Sequence, residues 1–361
     1  MSPPRLQNGW IFGPRADLAA FGGPILVASA LIALAATRGF LHAPLAPWAF
    51  ALLIVACDVA HVWSTSFRVY LDGEELRRHL ALYVSVPLLS FAAGVALYSH
   101  SSALFWRALA YLAAFHFVRQ QWGWIAYSRA RAGEGERGKR FDALLVYALT
   151  VLPLVWWHAR LPRAFAWFQE GDFVRLPAWC GTLALVLHWS IVGAWLAREL
   201  TRLARGEPVN GAKAFLFTTT WCAWYGAIVL LDSDLAFTAL NVLAHGVPYL
   251  VLVWRVERER RGATSGFLAC LFRPAFAWLF VALLVALGYA EEWLWDRGVW
   301  HEHATLFPGP TFAPSGLGLG LLVPLLTVPQ ATHYVLDAWI WRRARHAELR
   351  SFLTPTLPST P

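Results

Sequence analysis

Apolar runs of about twenty residues, separated by short polar segments, recur along the whole chain. Runs of that length cross a bilayer core as helices. The pattern predicts ten spans, at residues 20–37, 46–65, 79–98, 103–127, 142–158, 177–197, 214–231, 235–254, 274–290 and 317–341. The expected fold class is all-α, a polytopic integral membrane protein with residues 1–350 as one transmembrane helical domain. Residues 351–361 (SFLTPTLPSTP) are rich in Pro, Ser and Thr and are expected to form a disordered tail. Between the spans, 66–78 and 255–273 read as connectors. The loop 128–141 (RARAGEGERGKRFD) reads as mobile. The stretch 291–316, with its Trp and Pro residues, His301 and His303, reads as a cap on the opposite face.

Composition agrees with a membrane chain. Of 361 residues, 58% are hydrophobic and only 14% charged, against about a quarter charged in soluble domains. The 21 Trp suit membrane interfaces, where Trp concentrates. Cys57, Cys180, Cys222 and Cys270 stand apart with no CxxC pair, which argues against zinc ribbons and thioredoxin-type chemistry. The polar, Pro-rich start has no short apolar run before a small-residue cleavage site, so no cleavable signal is expected.

Charge then orients the bundle. Loops after even-numbered spans carry 21 of the 30 Lys and Arg, among them Arg77, Arg129, Arg202, Arg258 and Arg343. The opposite loops carry Arg38, Arg160, Arg163, Arg175 and Arg297. Basic loops stay in the cytoplasm, which predicts an inner (plasma) membrane protein with both termini cytoplasmic. The net charge of +8 is therefore a topology signal, and nucleic acid is not an expected partner.

The candidate chemistry lies in histidines, one on each even-numbered span: His61, His116, His188, His245 and His333. His61, His188, His245 and His333 precede the next basic segment by seven to ten residues, or roughly 10–15 Å of helix. Ionisable side chains inside a bilayer are expensive and mark functional sites. Four of the five have a polar residue one turn away: Asp58 for His61, Gln120 for His116, Asn241 for His245 and Asp337 for His333. Such a neighbour can ligate a metal or accept the other imidazole N–H. His188 has none and reads as an ordinary hydrogen-bonded interior histidine. Pro248 and Pro329 each interrupt a backbone hydrogen bond near a histidine, which predicts irregular helix there. Two plainer readings compete. Asp58 and Asp337 could pair with Arg119 as structural salt bridges. The aromatics around the layer, such as Phe117, Trp122, Tyr249 and Tyr334, could face lipid or core rather than a lipophilic cavity.

The C-terminal run LLTVPQATHYVLDAWIWR contains Thr327, Val328, Pro329, His333, Asp337 and Arg342. It resembles the end of the Brp/Blh family of membrane β-carotene dioxygenases, with three further residues between Pro329 and His333. The looser segments FHFVRQQ, AHGVPYLVLVW and CDVAHVWST are similar to other family motifs; Tyr249 stands where the family has a second histidine. The resemblance covers about a fifth of the chain and implies a non-haem iron held by histidines and O₂-dependent cleavage of a carotenoid-like polyene.

Residue types and resemblance together predict a metalloenzyme, an O₂-dependent oxygenase acting on a lipid-soluble small molecule that enters from the membrane lipids. His61, His116, His245 and His333 are the expected metal ligands, with iron as the metal. Asp58 and Asp337 are expected to orient them, and Gln120, Asn241 and Tyr249 to position dioxygen or substrate. The alternatives are a haem protein with two axial histidines, a proton-coupled transporter using intramembrane His and Asp, and a scaffold without chemistry. No dinucleotide-binding, P-loop or kinase motif is present.

Overall fold

The computed structural model describes residues 8–261, 266–312 and 314–354. Long helices dominate it. Pro14–Thr37 is α1, Pro47–Arg68 α2 and Leu80–His100 α3; Ser102–Arg131 is α4. Lys139–Ala159 is α5 and Ala178–Ala204 α6. Gly211–Trp221, continuing through Cys222–Leu230, is α7. Asp234–Arg261 is α8, Pro274–Trp300 α9 and Gly316–Ile340 α10. All ten coincide with predicted segments, and eight are long and apolar enough to cross a membrane. The other two are α4 and α7. Their sequences explain this: α4 carries Arg107, Arg119, Gln120 and Gln121, and α7 carries Lys213 and a run of three Thr.

Several ends are set by local chemistry. Ser101 caps α4 by accepting the Leu104 amide at 3.3 Å, and Asn210 caps α7 by accepting the Lys213 amide at 3.0 Å. Pro248 is accommodated within an unbroken α8, contrary to expectation. The irregularity predicted near Pro329 is present: α10 steps at Thr327 from Gly316–Leu326 to Val328–Ile340. Wide π turns interrupt α2 at Ala51–Val59 and α7 at Cys222–Leu230; such turns often accompany functional sites.

The centre of the bundle is α8, 78% of whose apolar window is buried; the figure is 17% for α3 and α6, which lie at the periphery. Around it, α2 packs on α8, α9 and α10, and α10 packs on α3 and α4. Two glycines let neighbouring helices approach α2 closely. A Cβ at Gly246 in α8 would lie 2.8 Å from Cys57 Sγ and 3.0 Å from its carbonyl oxygen in α2; one at Gly288 in α9 would lie 2.8 Å from the Val55 carbonyl oxygen.

Three expectations about connections are corrected. The loop 128–141 is held by a polar network rather than left free. Arg129 pairs with Glu134 at 2.8 Å and with Asp142, and reaches the Gly135 and Arg137 carbonyls. Lys213 joins Glu134 at 2.7 Å and Asp142 at 2.9 Å. The cap expected at 291–316 is shorter than that, because α9 runs on to Trp300. The C-terminal stretch is structured through Thr354: a short helix, Ala347–Phe352, buries Leu349, Leu353 follows it inward, and Arg131 donates to the Phe352 and Thr354 carbonyls. Residues 355–361 of the expected tail lie outside the described residues.

Candidate metal centre

Four of the five predicted histidines meet. His61 comes from α2, His116 from α4, His245 from α8 and His333 from α10; all are buried, and one ligand atom from each lies within 4.8 Å of the other three. Their rings form a closed circuit, with centroids 4.6 Å apart for His61 and His245, 4.9 Å for His61 and His333, 5.2 Å for His116 and His245 and 4.7 Å for His116 and His333. Geometry at helix scale brings this about. The cleft at Gly246 seats α8 on α2 beside both His245 and His61, and the Nε2 atoms of those two histidines stand 3.0 Å apart.

The outer ring nitrogens show which atoms face inward. His61 Nδ1 lies 3.2 Å from the Cys57 carbonyl, which accepts its proton and leaves the Nε2 lone pair facing His245 Nε2. His333 Nδ1 lies 2.8 Å from Thr65 Oγ1. Thr65 in turn is 2.9 Å from the Tyr249 hydroxyl, which donates to Asp337 Oδ1 at 2.7 Å and accepts from Trp341 Nε1 at 3.2 Å. One direction satisfies every member: His333 N–H to Thr65, Thr65 O–H to Tyr249, Tyr249 O–H to Asp337. That chain fixes the tautomer with His333 Nε2 unprotonated. His116 Nε2 and His333 Nε2 are buried with no hydrogen-bond partner among the described residues. Buried nitrogens without partners are costly, and a positive ion among them would remove the cost. The donor set fits a divalent transition metal. Metal–imidazole bonds of about 2.1 Å at right angles put two nitrogens about 3.0 Å apart, the separation of His61 and His245 Nε2.

The predicted partners divide. Asp337 adjoins the cluster, 3.5 Å from His333 Nδ1 and 3.9 Å from His116 Nε2. Asp58 Oδ1 is 3.8 Å from His61 Nδ1, beyond hydrogen-bond reach; the nearer acceptor is the Cys57 carbonyl. Gln120 does not serve His116: its amide donates to the His245 carbonyl at 3.4 Å, and its oxygen accepts from Trp124 at 3.3 Å. Asn241 does not reach the His245 ring, donating instead to the Phe237 carbonyl at 3.1 Å. Arg119 donates to the Tyr147 hydroxyl at 3.0 Å, and no ion pair joins it to Asp58 or Asp337 among the described residues. His188 stands apart as expected, bonded to the Ala148 carbonyl at 2.9 Å and to Trp221 Nε1 at 3.2 Å.

Sequence reasoning missed Thr65 and the Cys57 carbonyl. Thr65 had a signal, since it lies one turn after His61 on the same face. Phe117, for which packing and a cavity wall were both open, lines a cavity and stacks on His245 with centroids 3.6 Å apart.

Two cavities flank the cluster. One, of about 600 Å³, is lined by His116, Gln120, Tyr249, Tyr334 and Asp337 and runs toward Arg342 and Arg343 at the basic face. The other, of about 800 Å³, is lined by Asp58, Phe117, Asn241 and Tyr334 and opens among loops of the opposite face. Several aromatics of the layer are thus cavity walls. In comparisons with protein-family models, curated proteins and solved structures, this chain matches none.

Proposed function

We propose that the chain is an integral-membrane, histidine-ligated metalloenzyme. In this reading it is a non-haem iron, O₂-dependent oxygenase acting on a lipophilic, carotenoid-like substrate. The observation that carries the reading is the closed circuit of four buried imidazoles from four helices, with the His116 and His333 Nε2 atoms orphaned. His61, His116, His245 and His333 would hold the metal, and iron bound there would supply the activation of dioxygen.

The protein's own residues have separate tasks. The Cys57 carbonyl and the Thr65–Tyr249–Asp337 chain keep His61 and His333 in the ligating tautomer. Phe117 stacks on His245 and shuts water from that side of the ring. Asp337, on the wall of the basic-side cavity, can pass a proton between that cavity and the hydroxyl of Tyr249. A lipophilic substrate is supported by the cavity on the basic side of the cluster, walled by His116, Tyr249 and Tyr334. Gln120 and Tyr249, on the wall of that cavity, would position dioxygen or this substrate. The resemblance to the Brp/Blh dioxygenases at His333 and Asp337 supports the same chemistry. The basic-loop asymmetry supports ten spans in the inner membrane with both termini cytoplasmic.

Haem is the weaker alternative. Axial imidazoles must stand on opposite faces of a flat macrocycle, and four rings packed edge to face leave no slab between them for one. A proton-coupled transporter is a second reading, favoured by the His333-to-Asp337 chain.

The deciding experiment is metal content by mass spectrometry on detergent-purified protein, beside a His245→Ala/His333→Ala double variant. About one iron or other transition metal per wild-type chain, lost in the variant, is the expected result, after which lipophilic substrates are screened under O₂. No metal in either protein, even after reconstitution with ferrous iron, removes the metalloenzyme and leaves the transporter.

A further inference from the structure

The larger cavity opens beside residues 42–45, 164–169 and 302–303, on the face poor in basic residues. Its wall has an unusual charge balance. Asp58, Asp234, Glu292, Asp296 and Glu302 line it, and among the described residues no Lys or Arg does. Asp296 is satisfied by Arg297 and by the Glu302 and His303 amides. Asp234 accepts from Thr238 at 3.4 Å, and Glu302 is exposed. That leaves Asp58 and Glu292, which accept no hydrogen bond among the described residues. Glu292 is only 8% exposed.

Two further observations point to a ligand. Asn241 is 4% exposed and lines the same cavity, and its Oδ1 is buried without a hydrogen-bond partner. It is an additional acceptor on a wall already rich in acceptors. The rest of the wall is aromatic. Trp106, Trp295 and Trp300 form one face, with ring centroids 5.2–6.0 Å apart. Phe117 and Trp167 form another, 5.2 Å apart. A buried carboxylate without countercharge, as at Glu292, is costly, aromatic faces attract cations, and the volume is that of a cavity for a drug-sized molecule. All three fit one chemistry.

We propose that this cavity binds a hydrophobic organic cation, its charge held between Asp58 and Glu292 and its body against the Trp and Phe walls. The site stands independently of any metal at the histidines. A polyol or a neutral hydrocarbon fits less well, since neither supplies the missing positive charge.

The test uses tetraphenylphosphonium and tetraphenylborate, two ions of one shape and opposite charge, titrated separately by calorimetry into the full chain in a non-ionic detergent. The phosphonium should bind saturably at one site per chain, and the borate should show no saturable binding. Glu292→Gln keeps the size of a buried carboxyl that has no hydrogen-bond partner, so folding is retained; it should weaken the phosphonium by at least about tenfold, the scale of losing one close charge partner. Glu292→Asp, which keeps the charge, should stay within a few-fold of wild type. Equal binding of both ions, wild-type affinity in Glu292→Gln, or no saturable phosphonium binding would each overturn the proposal. Metal content of the same samples is a separate readout, so failure here leaves the metal centre standing or falling by itself.

Discussion

At the scale of single residues, the centre depends on where each imidazole puts its second nitrogen. Thr65→Val keeps shape and volume but removes the acceptor of the His333 Nδ1 proton. Loss of such a partner typically costs about 10–100-fold in metal affinity. The expected outcome is that loss with an unchanged helical circular dichroism spectrum; wild-type metal affinity would show that Thr65 does not set the tautomer. The four histidines themselves were legible, because an imidazole in an apolar run stands out against its neighbours. Their partners were only half legible. One-turn spacing found Asp337, but the atom that receives the His333 proton lies on α2, 268 positions away. The same spacing misread Gln120 and Asn241, whose amides turn to backbone carbonyls of their surroundings.

At the scale of elements, the site is as good as the seating of α8 on α2. An alanine Cβ at Gly246 would stand 2.8 Å from Cys57 Sγ and 3.0 Å from its carbonyl oxygen, so the helices must part. Gly246→Ala should destabilise by about 1–3 kcal/mol, the range for overpacking. It should also lower metal content, by drawing His245 from His61. Gly123→Ala on α4, where a Cβ meets nothing within 4 Å, should be neutral or stabilising, since Ala is the better helix former. Thermal melts and metal analysis on both variants check the pair; an unchanged Gly246→Ala protein would mean that the close approach is not needed. Helix positions were legible from the recurrence of apolar runs. The π turn at Ala51–Val59, which sets the phase of α2 just before His61, was not, because a one-residue change in hydrogen-bond register leaves no compositional trace.

At the scale of the whole molecule, the basic loops are tied by carboxylates as well as carrying charge. Burial works against ionised Glu134, yet bonds from Lys213 and Asn210 and the nearby Arg129 hold its carboxyl below the usual glutamate range. The His346 imidazole and Arg68 hold Glu348 well below it. A depressed carboxylate stabilises the fold above its ordinary pKa, and that contribution is lost as the pH falls through the folded value. Glu134→Gln should therefore melt below wild type at pH 7, and the gap should narrow below about pH 4. A gap constant down to pH 3 would show that Glu134 is not depressed. A count of loop charges reveals the sidedness of this face but not its clamps, since which acid meets which base depends on loops folding back. The orphaned His116 and His333 nitrogens bear on the energetics of the whole chain. Each unpaired buried group costs the fold about 1–3 kcal/mol. An ion that binds only the folded chain returns stability in proportion to the logarithm of its concentration, about 1.4 kcal/mol per decade above Kd. The melting temperature thus becomes a gauge of occupancy, and a titration of candidate metals followed by heat alone would rank them before any substrate is known.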